Sequence, residues 1–282
     1  MSDARPEITR LLVAYNSAEA LQDHARSSPP GPTLIVDNAS TDRTGEVARS
    51  LDFDVLRLEA NVGFGMGIMA GLTHLDAELV LVMNPDVTLR ADTESELLRA
   101  AREWPECDLF VPQLIGGGGH VFFRHESRFE PRSKDRRPPF GDCCVPSISG
   151  AAMLIRRAPF IEFGGFDPEI FLFFEDDDIA VRSWRARHPA IYVHGAVAEH
   201  EEGSSSGRDA RAHHIKDVSF GWSLMYVGAK HFGRRGWRDF VAMALKLLVY
   251  AISGRRQRML RQWGRLTGAW AWLRGGRAPF RP

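Results

Sequence analysis

The chain has 282 residues, 44% of them hydrophobic and 26% charged, the balance of a globular protein with room for one large domain and an appendage. This composition excludes a disordered chain or a collagen-like fibre, and three cysteines, two of them adjacent (Cys107, Cys143, Cys144), do not make an extracellular disulfide framework. The N-terminal MSDARPEITR has no apolar signal core and no stretch reaches 18 uninterrupted apolar residues, so a reduced, cytoplasmic protein is expected. The formal net charge of zero is unevenly divided. Residues 228–282 hold 13 Lys and Arg against a single acid, Asp239, which leaves −12 on residues 1–227 and +12 on the tail. An acidic body over 1–227 and a basic, amphipathic helical tail over 228–282 are therefore expected. Such a tail suits an anionic surface.

In chain order, Ile8–Ala14 reads as a buried strand, 17–26 as a helix closed by Ser-Ser-Pro-Pro-Gly, and Thr33–Val36 as a second strand. A helix over 42–50, a strand over 54–58 and an apolar strand over 78–83 follow. Near-continuous apolar strands alternating with helices predict an α/β fold with a mostly parallel sheet. In such sheets ligands bind outside the carboxyl ends of the strands. The polar clusters at 15–17, 37–42 and 84–86 each follow a strand directly. The stretch 116–147, with its four glycines, its basic residues from Arg124 to Arg137 and Pro138-Pro139, reads as a flap or long surface loop. Strand-like order returns at Ser149–Arg156, and a helix is expected from about Asp176 to Arg187. The apolar run 237–253, interrupted by Lys246, and the arginine-rich stretch with Trp263, Trp270 and Trp272 are expected to be helical.

Several motifs carry possible chemistry. Val36-Asp37-Asn38-Ala39-Ser40-Thr41-Asp42 puts acids and an amide at a strand end, where they can pair with a pyrimidine or simply cap the next helix. Asn61-Val62-Gly63-Phe64-Gly65-Met66-Gly67 is glycine-rich ahead of a helix, so its backbone could approach a phosphate. Its glycines are spaced GxGxG, not as in a dinucleotide fingerprint, and no GK[ST] follows the four-glycine run, which rules against a dehydrogenase and a P-loop. Asp86, in Asn84-Pro85-Asp86, offers a single carboxylate for a divalent cation or an Asx turn. Phe171-Leu172-Phe173-Phe174 delivers Glu175-Asp176-Asp177-Asp178 to a helix start. Four acids there favour the helix dipole, but mutual repulsion beside an apolar wall should raise at least one pKa and suits general-base work. Asp178 and Arg182, at i and i+4, read as a structural pair. His200 is expected on a polar loop where it could reach a metal or a diphosphate.

Taken in order, Ala14-Tyr15-Asn16-Ser17, VDNASTD at 36–42, Asn61-Val62-Gly63-Phe64, Asn84-Pro85-Asp86, Ser149–Arg156 (SGAAMLIR), Gly164-Gly165-Phe166-Asp167, Phe173–Asp178 (FFEDDD) and His200 with Gly203 resemble the inverting nucleotide-sugar glycosyltransferases of family 2, rhamnosyltransferase-like branch. The resemblance covers roughly residues 8–206. It implies a GT-A fold, a nucleoside diphosphate-sugar donor and a glycan or lipid-linked glycan acceptor in cell-envelope or exopolysaccharide synthesis. Carried over by position, Asp37 and Asn38 would hold the base with Tyr15, Asn61 and Gly63 nearby. Asp86 and His200 would meet Mn²⁺ or Mg²⁺, Asp176 would be the base, and Ser149, Gly150 and Glu175 would border the acceptor or sugar. Ile68 and Met69 stand where that branch often carries two amides. A catalytically degenerate binding or scaffold protein is the competing reading, and the intact acidic run argues against it. The tail is expected on an anionic membrane surface at the inner face of the cytoplasmic membrane, or in a homodimer contact. Nucleic acid would explain the tail but not the acidic strand ends, so none is expected.

Overall fold

The computed structural model describes residues 8–123, 129, 137–200 and 210–280. Its first half alternates strand and helix: β1 (Ile8–Ala14), α1 (Ala18–Ser27), β2 (Thr33–Asp37), α2 (Thr44–Ser50), β3 (Asp54–Arg57), α3 (Phe64–His74), β4 (Leu79–Met83), β5 (Val87–Leu89) and α4 (Thr93–Glu103). Then come β6 (Leu109–Gly116), β7 (Val121–Phe122), β8 (Cys143–Val145), β9 (Ala152–Arg156), α5 (Arg157–Glu162), α6 (Glu175–Arg185) and β10 (Ala190–His200). Three helices complete the described chain: α7 (Ala210–Phe232), α8 (Trp237–Ile252) and α9 (Arg256–Leu273).

One sheet organises these elements in the order β3-β2-β1-β4-β9-β6-β10-β5, with β7 on β6 and β8 on β10. The expected mostly parallel sheet is corrected to a mixed one. Strands β3, β2, β1 and β4 are parallel, and β10 is parallel to β6, but β9 enters antiparallel between β4 and β6 and β5 closes the edge antiparallel to β10. The physical reason lies in the connections. A parallel neighbour needs a crossover, usually helical. No helix lies between β6 and β9 among the described residues, and the chain returns beside itself.

The alternation of β1 shows why the sheet is buried on both faces. Leu12 and Ala14 join Ile35, Leu81 and Phe110 under α1, α2 and α4, whereas Leu11 and Val13 join Val36, Val82, Ile68 and Phe166 under α3 and α5. Both sets are removed from water, so the strand from Leu11 onward reads as an unbroken apolar run. Arg10, in the same strand, is 2% exposed and is satisfied by a fork of two hydrogen bonds to Glu94 at 2.8 and 3.0 Å.

The last three helices form their own apolar cluster, in which Leu224, Met225 and Val227 of α7 meet Met243 of α8 and Ala269 of α9, together with Ile170 and Phe174 from the approach to α6. Small residues let α7 and α9 touch backbone to backbone. A Cβ on Gly221 would collide with the carbonyl of Arg265, and one on Gly268 with the carbonyl of Val218. The change of charge at 227/228 falls inside the continuous helix α7.

Candidate active site

A cavity of about 400 Å³ opens at the carboxyl ends of β1 and β4. Tyr15, Asn38, Asn61, Gly63, Asp86, Ser149, Gly150, Glu175, Asp176 and His200 all line it. Ten positions from seven separate stretches of sequence thus converge on one space. Asp37 is the exception: it is fully buried and does not line the cavity. Its carboxylate accepts the Ser40 amide at 2.8 Å and is paired with Arg57, so it braces the turn that presents Asn38.

The floor is built by backbone constraints. Asn38 spans the turn below the cavity, accepting the Val62 amide at 2.9 Å and donating to the Gly63 carbonyl at 3.0 Å. Gly63 sits at φ +88°, and a Cβ there would strike the Phe171 carbonyl, which accepts the Phe64 amide at 3.0 Å. The glycine-rich run was expected to precede its helix. Instead α3 begins at Phe64, and Gly65 and Gly67 lie inside it against Phe166 and Val13. Those two glycines serve helix–sheet packing, and of the three only Gly63 reaches the cavity.

The acidic run is aimed by an unusual entry. Phe173 and Phe174 both occupy the left-handed region, at φ 68° and 67°, a conformation that costs bulky residues about 1–3 kcal/mol each. Aromatic contacts hold them there: Phe173 on Phe220 at 5.6 Å, and Phe174 on Phe220 at 5.1 Å and Phe129 at 5.5 Å. From this double turn α6 starts, and its first residues diverge. Glu175 and Asp176 face the cavity. Asp176 Oδ1 accepts the Asp177 amide at 2.9 Å and Oδ2 accepts the Gly150 amide at 3.3 Å.

Asp178 points away, into the protein, and is fully buried. It accepts Arg182 at 2.9 Å, Lys230 at 2.6 Å and His231 at 2.6 Å. Burial alone would raise this carboxyl, but the hydrogen bonds from His231 and Lys230 and the charge of Arg182 outweigh it and bring the pKa down to about 2. The expected i,i+4 pair is present, and it anchors α6 to α7.

Across the cavity, Asp86 and His200 approach to 3.4 Å between Oδ1 and Nε2. His200 was expected on a polar loop. It is the last residue of β10, in register with Val87 and Gly116, because pairing resumes at Val197 after the irregularity that follows Val193 and continues through His200. The companion expectation at Gly203 lies outside the described residues, as do Arg124, Arg128, Arg132, Lys134 and Arg136 of the basic loop. One carboxylate oxygen and one imidazole nitrogen are ligands that Mn²⁺, which tolerates nitrogen, accepts more readily than Mg²⁺. Among the described residues no group of three or more His, Cys, Asp or Glu gathers as a metal cage. A cation here would need oxygens from a bound ligand, which a diphosphate supplies.

The motif reading missed the wall formed by α7, where Ala212, Ile215 and Lys216 line the cavity. Its neighbours His213 and His214 are exposed. The available signal was helical period, since Ala212, Ile215 and Lys216 fall at i, i+3 and i+4.

Residues 15–164 match the model of glycosyl transferase family 2, more than half of the chain. The chain belongs to this family. It is a glycosyltransferase, and its mixed sheet with flanking helices is the GT-A fold. It is 30% identical to the N-acetylglucosaminyl-diphospho-decaprenol L-rhamnosyltransferase of Mycobacterium tuberculosis, over 74% of this chain and 76% of that protein. Among solved structures it resembles S. aureus TarS 1–349, with a TM-score of 0.56 at 15% identity over 95% of this chain and 92% of that one. The mannosyltransferase PcManGT from Pyrobaculum calidifontis, solved with GDP-Man and Mn²⁺, gives a TM-score of 0.52 at 14% identity over 95% and 87% of the two chains. The family model ends at residue 164 and so leaves out the acidic run, His200 and the α7 wall.

Proposed function

We propose that this family 2 transferase moves a sugar, by best reading rhamnose from dTDP-rhamnose, from a nucleoside diphosphate to a lipid-linked glycan acceptor with inversion at the anomeric carbon. The observation that carries this reading is the placing of Asp176 in one cavity with the Asp86–His200 pair. The choice of sugar and acceptor is supported by the rhamnosyltransferase relative, whose name gives its acceptor as N-acetylglucosaminyl-diphospho-decaprenol. Asn38, Tyr15, Asn61 and Gly63 receive the nucleotide, with Asp37 bracing them from below.

Asp176 takes the acceptor hydroxyl proton, for which contact of about 2.6–3.2 Å is needed. The two amide hydrogen bonds at its oxygens fix the direction of its lone pairs. Ser149, Gly150 and Glu175 border the acceptor or sugar. Asp86 and His200 would hold a divalent cation, Mn²⁺ or Mg²⁺, which when bound neutralises charge developing on the diphosphate. A dTDP-β-L-rhamnose donor would give an α-L-rhamnoside.

The acceptor class also gives the tail a task. Residues 1–227 carry the transferase site, and 228–282 attach it to an anionic bilayer. No helix among the described residues is long and apolar enough to cross a membrane. On α8, Trp237, Val241, Leu245, Leu248, Val249 and Ile252 are exposed at helical spacing, and Leu260, Trp263 and Trp270 continue the exposure on α9. Exposed Arg238, Lys246, Arg255, Arg256 and Arg258 flank them, an arrangement suited to the interface of an anionic leaflet.

Transfer assays with dTDP-rhamnose, UDP-N-acetylglucosamine and GDP-mannose on a polyprenyl-diphosphate-linked N-acetylglucosamine acceptor, with and without Mn²⁺, test the chemistry. Transfer from none of the donors overturns it. Flotation of the full chain with phosphatidylglycerol and phosphatidylcholine vesicles tests the attachment. Binding to the first that is lost in Leu245→Glu/Leu248→Glu supports it, and no binding at low salt, or dimerisation through the same face, overturns it.

A further inference from the structure

We propose that Lys216 is a catalytic residue of this site, an ammonium that contacts the diphosphate of the donor and stabilises it as it departs. The inference rests on the reading that the cavity receives a nucleoside diphosphate-sugar. Its geometric basis is the α7 wall. Lys216 lines the same cavity as Asp86, His200 and Asp176 and comes from a helix that none of the motifs includes.

Charge balance makes the position telling. Asp86, Glu175 and Asp176 bring three carboxylates to the cavity wall, and among the described residues Lys216 is the sole lysine or arginine on it. A donor diphosphate carries about two negative charges, which such a wall repels unless a cation offsets them. A divalent cation between Asp86 and His200 would offset part of this on one side. Lys216 offers charge from another element, fixed by the fold and independent of metal loading.

The choice of side chain fits. The chain has 36 lysines and arginines, and only four of them, Lys134, Lys216, Lys230 and Lys246, are lysines. A compact ammonium binds phosphate as a point charge, whereas the planar fork of arginine demands more room. Lys216 is also largely withdrawn from solvent. Burial lowers its pKa while the charge of Asp86 pulls it back up, with smaller effects from Arg261 and Asp217. Burial is what gives a fixed charge its strength against a developing anion.

The step balances without a further reagent. The acceptor oxygen forms its bond to the anomeric carbon as the bond from that carbon to the β-phosphate oxygen breaks. The electron pair leaves with the diphosphate, the acceptor proton goes to Asp176, and Lys216 keeps its own proton throughout.

Calorimetry on the full chain with dTDP, dTMP, UDP and UMP, with Mn²⁺ and with EDTA, tests the proposal in wild type, Lys216→Met and Lys216→Arg. Lys216→Met keeps the aliphatic stem, so an unchanged melting temperature marks a folded variant. The diphosphate should lose about ten- to a hundredfold in affinity, as expected for a charge-assisted hydrogen bond, and the monophosphate less than about threefold. Lys216→Arg should recover part of the loss. Equal losses for diphosphate and monophosphate, or none for either, would overturn the role, the first because it marks a lysine that only shapes the pocket. Wild-type protein that binds no nucleotide would overturn both this inference and the transferase reading on which it rests, whereas wild-type binding with an indifferent Lys216→Met overturns the inference alone.

Discussion

Carboxylates two residues apart in the acidic run have opposite surroundings: Asp176 meets two backbone amides and the cavity, Asp178 an arginine, a lysine and an imidazole and no solvent. Asp176→Asn is nearly isosteric, so fold and nucleotide affinity should survive while transfer falls by about two to four decades. Turnover near wild type would pass the base to Glu175, the other acid of the run on the cavity wall. Asp178→Asn should act on stability instead. The folded pKa of about 2 lies below the unfolded value of about 3.9, so this carboxylate contributes stability above about pH 4. That contribution, on the order of 2 kcal/mol, is lost as pH falls toward 2. Asp178→Asn should therefore lower the melting temperature by roughly 5–10 °C at pH 7, and the gap should close as the pH approaches 2. Melting curves across pH 2–7 check this, and a constant gap would point to packing instead of charge.

At the scale of elements, close approach sets what can change. Gly221→Ala would drive a methyl into the Arg265 carbonyl and force α7 and α9 apart. A stability loss of about 1–3 kcal/mol is expected, against almost none for Thr267→Ala on the exposed side of α9. Thermal denaturation of the two variants decides it. Such contacts also explain what the sequence made legible. The strands β1, β2 and β4 were readable because burial on both faces leaves an unbroken apolar run, and the strand-end clusters followed from them. The antiparallel entry of β9 was not, because strand direction depends on a connection whose path no local pattern records. Gly65 and Gly67 looked like a phosphate loop because glycine admits any close neighbour, and their partners are Phe166 and Val13, distant in sequence. Asp37 had the composition of a ligand, and only the position of Arg57 reveals that its carboxylate is turned into the fold. Lys216 belongs to no short motif, and its place on the wall is set by the packing of α7.

For the whole molecule, the division of charge at 227/228 and the division of structure do not coincide. Helix α7 carries Lys216 at its cavity end, Lys230 and His231 on Asp178, and Gly221 against α9. It ties the donor cavity, the acidic run and the basic tail together. The close backbone approach of α7 and α9, Gly221 on the Arg265 carbonyl and Gly268 on the Val218 carbonyl, has a consequence for the order in which the protein is made. Synthesis proceeds from the N-terminus at about 5–20 residues per second, and the β1–β4 sheet can assemble while the remainder is still being translated. Trp222, Leu224 and Met225 of α7 are buried in the finished protein, but α9, which packs against this helix, emerges only after α7 and α8. Until α9 leaves the ribosome, α7 lacks its backing and the cavity lacks a settled wall. A nascent chain thus holds the complete family 2 signature before the partner of α7 has been made, and a message truncated within α9 should yield a protein with every cavity-lining residue present and the backing of α7 missing.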